Sequence, residues 1–225
     1  IALPSTITSI GEYAFALQTP TDADLQLIYK EGVSVAKTAK NNRTGISTDK
    51  TVLALGNYGP VTKPGEYDSA TKAFTEPVFA DSVTYTIYED GKDIVMELTG
   101  TGSTAGFTYG AGYPTIDAGH TNPQPAEIRG TDGYSRKVTK LIINEGITSV
   151  GYCAFDCFTA LKEVVLPSTL TSIGANAFHR AFASGAKLYG AKDGYNTTLG
   201  DSGYTIQIPK TVNSIGTYFA SYQGI

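Results

Sequence analysis

A mainly β solenoid, in which short repeats stack along one axis, is the fold class that this 225-residue sequence predicts. Three observations predict it: a short phrase occurs four times, three copies share an ending, and the central copies begin 23 residues apart, at Ser149 and Ser172. Repetition at such a period indicates units that contact mainly their neighbours. The phrases are Ser9-Ile10-Gly11, Ser149-Val150-Gly151, Ser172-Ile173-Gly174 and Ser214-Ile215-Gly216. The shared endings are Tyr13-Ala14-Phe15, Cys153-Ala154-Phe155 and Asn176-Ala177-Phe178.

Two adjacent repeats, residues 138–155 and 161–178, carry apolar side chains at matching positions. Val164 and Leu166 lie two residues apart, as expected of inward-facing side chains on a short strand. The sequence therefore predicts one strand in each coil and a common apolar core. The matched pairs are Leu161 with Val138, Val164 with Leu141, Leu166 with Ile143, Leu170 with Ile147, and Ile173 with Val150.

The rest of each repeat predicts how the coil closes. Pro167 and its counterpart Asn144 end the strand by withdrawing or redirecting hydrogen bonds. Gly151 and Gly174 are predicted to allow a tight bend where a Cβ would interfere. The Ala-Phe ending is predicted to fill the interior, with short helical turns between strands.

The remaining segments interrupt the repeats. Residues 1–17 read as a partial coil, residues 18–136 as a Gly/Pro-rich β insertion or cap, and residues 137–225 as further coils with a loop insertion near 179–203. Within that insertion Leu188 and Tyr189 fit a degraded strand, but the Gly and Asn content favours an exposed loop. Either the solenoid is continuous with an inserted lobe, or one array ends at residue 17 and another begins at residue 83. Within 18–136, β-rich runs predict strands at 52–55, 83–88 and 94–98, and a strand or short helix at 22–29. The turn sequence Glu89-Asp90-Gly91-Lys92 predicts a hairpin near 83–99.

The phrases LPSTITSIGEYAF at 3–15 and LPSTLTSIGANAF at 166–178 resemble the BspA-type leucine-rich repeats of bacterial and some protozoan surface proteins. The resemblance covers 1–15 and 137–178 well, and 204–220 less well because Phe219-Ala220 replaces the Ala-Phe ending. The stretch at 83–102 is similar to the strand-turn-strand segment that often precedes such arrays. The resemblance implies a leucine-rich-repeat solenoid on an extracellular or cell-surface protein used in adhesion, host contact or cell aggregation, and names no ligand.

Composition excludes some classes of function. The chain has 17 Lys and Arg against 21 Asp and Glu, so its formal charge of −4 argues against nucleic acid as a partner. The sequence contains no run of 18 apolar residues, so it predicts no membrane span within these residues. No signal peptide is visible, yet Ile1 stands inside a repeat phrase, so we expect a piece of a longer protein.

Outward-facing residues on stacked strands predict the binding surface. One column is expected to hold Ala2, Ile142, Val165 and Gln207, and the next Lys140, Glu163 and Thr205. Apolar side chains that face outward predict a contact patch, unless an inserted loop covers them. Tyrosines near glycines in the interruptions suit peptide or sugar recognition, or instead hold loops down. The predicted ligand-binding residues are Lys140, Ile142, Glu163, Val165, Gln207, Tyr109 and Tyr113.

Catalytic and metal chemistry was weighed against simpler interpretations. His179 should stack beside Asp156 and Arg180 beside Cys157, so a Cys–His–Asp nucleophile, or a metal site with Cys153, is conceivable. Small buried thiols and a solvated Asp–His contact are the favoured interpretation. A disulfide between Cys153 and Cys157 is compatible with the sequence only if their Cα atoms lie about 4.4–6.8 Å apart. Glycines at 100–102 and 106–112 predict a flexible loop, since no phosphate-loop signature accompanies them.

These patterns predict a protein without catalytic residues, metal or cofactor. The expected function is that of a cell-surface or secreted adhesion or ligand-binding module with host or neighbouring-cell proteins or glycans as partners. The alternative is a structural subunit of an extracellular filament or layer that self-associates through open solenoid ends, where strand edges are free to pair.

Overall fold

The computed structural model describes residues 9–10, 26–30, 34–35, 48–68, 70–71, 73–107, 123–130, 132–192 and 205–221. This part of the chain is almost entirely β, with one short 3-10 helix at Tyr134–Arg136. The strands are β1 Ser9–Ile10, β2 Gln26–Lys30, β3 Ser34–Val35, β4 Thr48–Asn57, β5 Val61–Lys63, β6 Tyr67–Asp68, β7 Ala73–Phe74, β8 Val78–Phe79, β9 Val83–Asp90, β10 Asp93–Gly100, β11 Gly102–Ser103, β12 Lys140–Ile143, β13 Ile147–Val150, β14 Leu161–Leu166, β15 Ser172–Ile173, β16 Phe182–Gly190, β17 Thr205–Ile206 and β18 Ser214–Ile215.

The chain divides into two compact units, and the first comprises residues 1–55 and 86–92. In this unit β1 pairs with β3 and β2 with β4, both in parallel. The ammonium of buried Lys50 lies 2.8 Å from a carboxylate oxygen of Asp90 and 4.5 Å from the centre of the Tyr88 ring. These two contacts compensate the buried charge.

The second unit, residues 56–85 and 93–225, contains a parallel ladder in the order β10, β12, β14, β16, β17. Leu141 pairs with Val164, and Val164 in turn pairs with Leu188. All three side chains are fully buried. The predicted register of apolar residues is therefore correct, and the mainly β solenoid of the leucine-rich-repeat type is confirmed.

A second parallel ladder, β11, β13, β15 and β18, forms another side of the same coils. The Ser172 hydroxyl donates to the Ser149 hydroxyl at 2.8 Å, so the repeated serines stack. The glycine two residues further on keeps adjacent coils close: a Cβ on Gly151 would lie 2.2 Å from the Ala105 carbonyl oxygen. Neither Gly151 nor Gly174 has a positive φ. A Cβ would interfere at both positions, as the sequence predicts, and the reason is close backbone approach rather than a left-handed conformation.

On a third side, alternate backbone amides of the segment at 153–157 donate hydrogen bonds to carbonyl groups of the next coil. Cys153 donates to Ala175 at 3.1 Å, Phe155 to Ala177 at 2.8 Å, and Cys157 to His179 at 2.9 Å. Cys153 and Cys157 have φ of 51° and 65°, the left-handed region that non-glycine residues seldom adopt. Asn176, Arg180 and Tyr218 share this conformation at equivalent positions.

Aromatic rings stack through the interior of the coils. Phe155 lies 5.7 Å from Tyr58 and 5.2 Å from Phe178, and Phe178 lies 5.6 Å from Phe182, all as stacked pairs. Phe155 and Phe178 are fully buried, as the sequence predicts. Phe15, which was expected to join this stack, lies outside the described residues.

The strands predicted at 52–55, 83–88 and 94–98 are present within β4, β9 and β10. Gly91, with φ of 65°, lies in the turn between the last two. At the base of this hairpin the Thr84 and Thr99 hydroxyls are 3.2 Å apart. Of the segment 22–29, which was expected to be a strand or a short helix, the described part from residue 26 belongs to strand β2.

Two segments predicted to be loops are strands. Residues 182–190, part of the expected loop insertion, form β16 and pair with β14. Gly102, which was expected to lie in a flexible loop, forms β11 together with Ser103, and this strand pairs with β13. Both predictions are wrong for the same reason, because pairing with the neighbouring coil outweighs the low strand preference of glycine.

Candidate functional site

The outer face of the main ladder arranges charged side chains in one column. Lys140 pairs with Glu163, Glu163 with Lys187, and Lys187 with Thr205. The structure thus brings the predicted Lys140, Glu163 and Thr205 into one row, because parallel strands in register place equivalent side chains side by side. Lys187 was missing from the predicted column because its segment was interpreted as a loop.

The adjoining column is more apolar. Ile142 pairs with Val165, and Val165 pairs with Tyr189. Ile142 and Val165 are half-buried rather than open to solvent. The Gln207 amide donates to the Leu188 carbonyl at 2.8 Å, so the predicted Gln207, one residue beyond β17, follows the ladder at this face. Ala2, also expected in this column, lies outside the described residues.

These columns border a groove of about 450 Å³. Its rim combines three lysines, two carboxylates, hydroxyl groups and one tyrosine ring. The lining residues are Asp93, Thr139, Lys140, Lys162, Glu163, Ser184, Gly185, Lys187 and Tyr189. Its volume lies within the range of known ligand pockets.

Glu163 is the central acceptor of this groove. The Lys140 ammonium lies 3.0 Å from one of its oxygens, and the Tyr189 hydroxyl donates to the other. Burial, and then the hydrogen bond to Glu163, raises the pKa of Tyr189 to about 12. The phenol is therefore neutral at physiological pH and orients the carboxylate. Both charges of the Lys140–Glu163 pair remain about one-third exposed, within reach of a partner.

At the other end of the groove, Thr139 connects β12 to β10. Its hydroxyl donates to a carboxylate oxygen of Asp93 at 2.8 Å and accepts from the Ile94 amide at 3.1 Å. Asp93 itself is exposed. Two hydrogen bonds of the Thr139 hydroxyl, one to the Asp93 side chain and one from the Ile94 backbone, therefore hold this part of the rim in place.

Of the predicted binding residues, Tyr109 and Tyr113 lie outside the described residues. Tyr134, another tyrosine of the interruptions, stands in the 3-10 helix with the Lys137 ammonium 5.5 Å from its ring centre. Tyr189 lines the groove from strand β16, whereas the sequence suggested it only as one of several tyrosines in the interruptions. Its two-residue spacing from Lys187, matching that of Val165 from Glu163, is the signal that could have identified it.

The structure also brings together the residues considered for nucleophilic chemistry. One carboxylate oxygen of Asp156 lies 2.9 Å from Nδ1 of His179 and accepts from the Cys157 thiol at 3.3 Å. All three side chains are buried. The predicted stacking of His179 beside Asp156 is confirmed, but the interpretation as a solvated contact is wrong. Such a pair belongs to the packing of adjacent coils.

The thiols are poorly suited to act as nucleophiles. Burial, and then the negative charge of Asp156, raises the pKa of both Cys153 and Cys157 to about 12. Both are free and buried, so they form no disulfide with each other. In the described part of the chain, no three His, Cys, Asp or Glu side chains are grouped to hold a metal ion.

Thiol reactivity tests this assignment. In the folded protein at pH 8, we expect neither Cys153 nor Cys157 to react with a thiol-specific aromatic disulfide within minutes, because both are buried and protonated. Unfolding in guanidinium chloride should release two reactive thiols per chain, measured by absorbance of the released thiolate. Rapid reaction of one thiol in the folded protein would contradict the assignment and revive a nucleophilic role.

The family model described as BspA type leucine rich repeat region (6 copies) matches residues 133–189. This part of the chain is therefore similar to the BspA-type leucine-rich repeats. The match begins just before the 3-10 helix and runs through most of β16, a segment for which the sequence favours a loop. No curated protein matches the chain.

One solved structure, a leucine-rich repeat protein from Eubacterium ventriosum, is similar to this chain at 20% identity with a TM-score of 0.34. The similarity covers 64% of this chain, which spans 41% of that protein's length. BspA-type repeats are typically associated with bacterial surface proteins, and leucine-rich repeats generally serve protein interaction. Across the described ranges, no helix has the length and apolar character needed to cross a bilayer.

Proposed function

We propose that this BspA-type repeat chain is a non-catalytic, cell-surface or secreted adhesion module that binds a protein partner through the outer face of its main ladder. The observation that supports this most is the groove in which Lys140, Glu163 and Tyr189 meet beside the Ile142–Val165 column. Host or neighbouring-cell proteins are the proposed partners, and glycans are the second class. Tyr109, Tyr113 and Gln207 remain proposed contributors.

The chemistry of this face suits a protein surface. An interface of moderate affinity combines a partly apolar centre with a charged rim that gives specificity. Ile142 and Val165 supply half-buried β-branched side chains, and Lys162 and Lys187 supply charge around them. Because ladder and rim are held by hydrogen bonds, little ordering is needed on binding.

The test is binding of the purified chain to immobilised extracellular-matrix proteins, host-cell surface proteins and glycans, with Val165→Lys and Lys140→Glu as the key variants. Each should lower affinity at least about tenfold, since Val165→Lys places a charge in the apolar column and Lys140→Glu sets two carboxylates side by side. Lys210→Glu, an equal charge change at an exposed position outside the groove, is the control.

Two results would contradict the proposal. One is binding that both variants leave unchanged, which would remove this face from consideration. The other is an equal loss in Lys210→Glu, which would show that only overall charge matters. Unfolding midpoints close to wild type in all three variants keep loss of folding from being mistaken for loss of binding.

A second candidate function is self-association into a filament or layer. On the last described coil, Ile206, Ile215 and Tyr218 are 38%, 45% and 67% exposed. Exposed apolar residues beside short strand edges favour pairing with another chain. Sedimentation of the wild type and of Ile215→Lys separates this candidate from the first, since only a filament-forming chain would grow in mass with concentration and lose that growth in the variant.

A further inference from the structure

A second groove lies in the same compact unit, away from the residues of the ladder face. Its volume is about 510 Å³, and residues from three parts of the chain line it. Nothing in the repeat pattern predicted it, because it is formed by segments outside the repeats. The lining residues are Gly56, Asn57, Glu76, Pro77, Val78, Phe79, Asp81, Tyr85, Pro125 and Glu127.

The walls of this groove are apolar and fixed in place. Tyr85 is 2% exposed and packs edge-on against Tyr58, with ring centres 5.7 Å apart. The Phe79 ring lies 6.0 Å from that of buried Phe107. Val78, in contrast, is 51% exposed, so its aliphatic side chain is open to a ligand. The groove thus offers an accessible apolar surface on a rigid base.

The charged side chains that line the groove are acidic, and within the described part of the chain one of them, Glu76, has a cationic partner. The Arg129 guanidinium contacts both carboxylate oxygens of Glu76, one of them at 3.0 Å. Asp81 accepts a hydrogen bond from the side-chain amide of Asn57 at 2.8 Å, and Glu127 accepts one from the Tyr85 hydroxyl. Among the described residues, neither Asp81 nor Glu127 forms an ion pair. Both carboxylates are therefore oriented by neutral donors, and no cation of the described ranges compensates their charges.

We propose that this groove binds an arginine side chain presented by a peptide of a partner protein. The methylene stem would lie against Val78 and the proline walls, and the guanidinium would donate to Asp81 and Glu127. Arginine fits better than lysine because its planar fork donates to two acceptors at once while its stem covers apolar surface. The site is independent of the ladder groove, whose rim is rich in lysine.

Burial, and then the charge of Glu127, raises the pKa of Tyr85 well above its ordinary value. Its hydroxyl therefore stays protonated and continues to donate to Glu127 throughout the physiological range. The carboxylate is held in one orientation before the ligand arrives, which reduces the ordering cost of binding.

The experiment is a titration of the ¹⁵N-labelled chain with N-acetyl-arginine amide, followed by amide chemical shifts. We expect saturable shifts at Gly56, Asn57 and Val78, with a dissociation constant on the order of millimolar for so small a probe. N-acetyl-citrulline amide, which has the same shape without the charge, should bind at least about tenfold more weakly.

Asp81→Asn and Glu127→Gln should each weaken arginine binding at least about fivefold. Asp132→Asn, an equal loss of charge at an exposed position outside the groove, should leave it unchanged. Unchanged amide spectra elsewhere would show that the variants are folded.

The proposal is overturned by the absence of shifts at the groove, by equal binding of citrulline, or by equal weakening in the Asp132 variant. Equal citrulline binding would instead mark the groove as an apolar site. Equal weakening of arginine binding in all three variants would show that the net charge of the chain, and not the groove, determines the affinity.

Discussion

Replacing Phe155 by alanine is expected to lower the free energy of unfolding by about 3–5 kcal/mol, the range for deleting a buried aromatic side chain. Phe155 is fully buried and stands in the middle of the ring stack, between Tyr58 and Phe178. It also meets Phe158 edge-on, with ring centres 5.4 Å apart. The alanine variant would leave a cavity bordered by rings held in adjacent coils, which cannot collapse without moving the backbone.

Urea unfolding followed by circular dichroism measures this change. Tyr218→Ala is the control, since it removes an aromatic ring that is 67% exposed, and we expect a change within about 0.5 kcal/mol. Phe155→Leu should fall between the two, because it retains part of the buried volume. Equal losses from Phe155→Ala and Tyr218→Ala would contradict the assignment of the ring stack as the core.

The apolar register of the coils could be predicted from sequence because it depends on local spacing. Val164 and Leu166 alternate with outward residues on one strand, and aligning two repeats is enough to pair Val164 with Leu141. The same alignment correctly placed Lys140 beside Glu163. Strand positions within a repeat, and the register between two similar adjacent repeats, can therefore be predicted from the sequence.

Strand β16 was predicted only as a degraded strand at Leu188 and Tyr189, the less favoured alternative to a loop, because extra residues interrupt its repeat pattern. A single residue separates Leu161 from Glu163, whereas four separate their partners Phe182 and Lys187. Gly185, with φ of 74°, lies in this irregularity. A bulge of this kind lets a strand absorb an insertion without leaving the ladder. The insertion hid Lys187 and the pairing of Tyr189 with Val165, and with them the β16 side of the groove.

The residues with a left-handed backbone conformation could not be predicted from the sequence either. Cys153, Asn176 and Tyr218 have φ of 51°, 54° and 56° at the same position of three coils, yet none is glycine. The neighbouring coil imposes this conformation, because alternate amides must point toward its carbonyls. The second groove was hidden for another reason: its residues come together only through tertiary packing, which no repeat reports.

Replacing Gly151 by alanine is the other change for which we expect a large effect, a loss of about 3 kcal/mol in the free energy of unfolding. The added Cβ would lie 2.2 Å from the Ala105 carbonyl oxygen and 2.8 Å from the Gly106 amide nitrogen. Both are backbone atoms of the preceding coil, so no side chain can rotate away to make room. Relief requires these two coils to separate, which would weaken the hydrogen bonds that join them: from the Thr104 amide to the Ser149 carbonyl, from the Phe107 amide to the Tyr152 carbonyl, and from the Gly151 amide to the Thr104 hydroxyl.

Gly106→Ala is the matched control, because its Cβ would lie 3.4 Å from the Tyr152 amide nitrogen, an ordinary contact, and its φ is not positive. We expect a change within about 1 kcal/mol of wild type, since reduced freedom of the unfolded chain offsets the closer contact. Chemical denaturation of both variants measures the difference. If Gly151→Ala were as stable as Gly106→Ala, the coils could not be as close as this ladder requires, and glycine at the end of each repeated phrase would need another explanation.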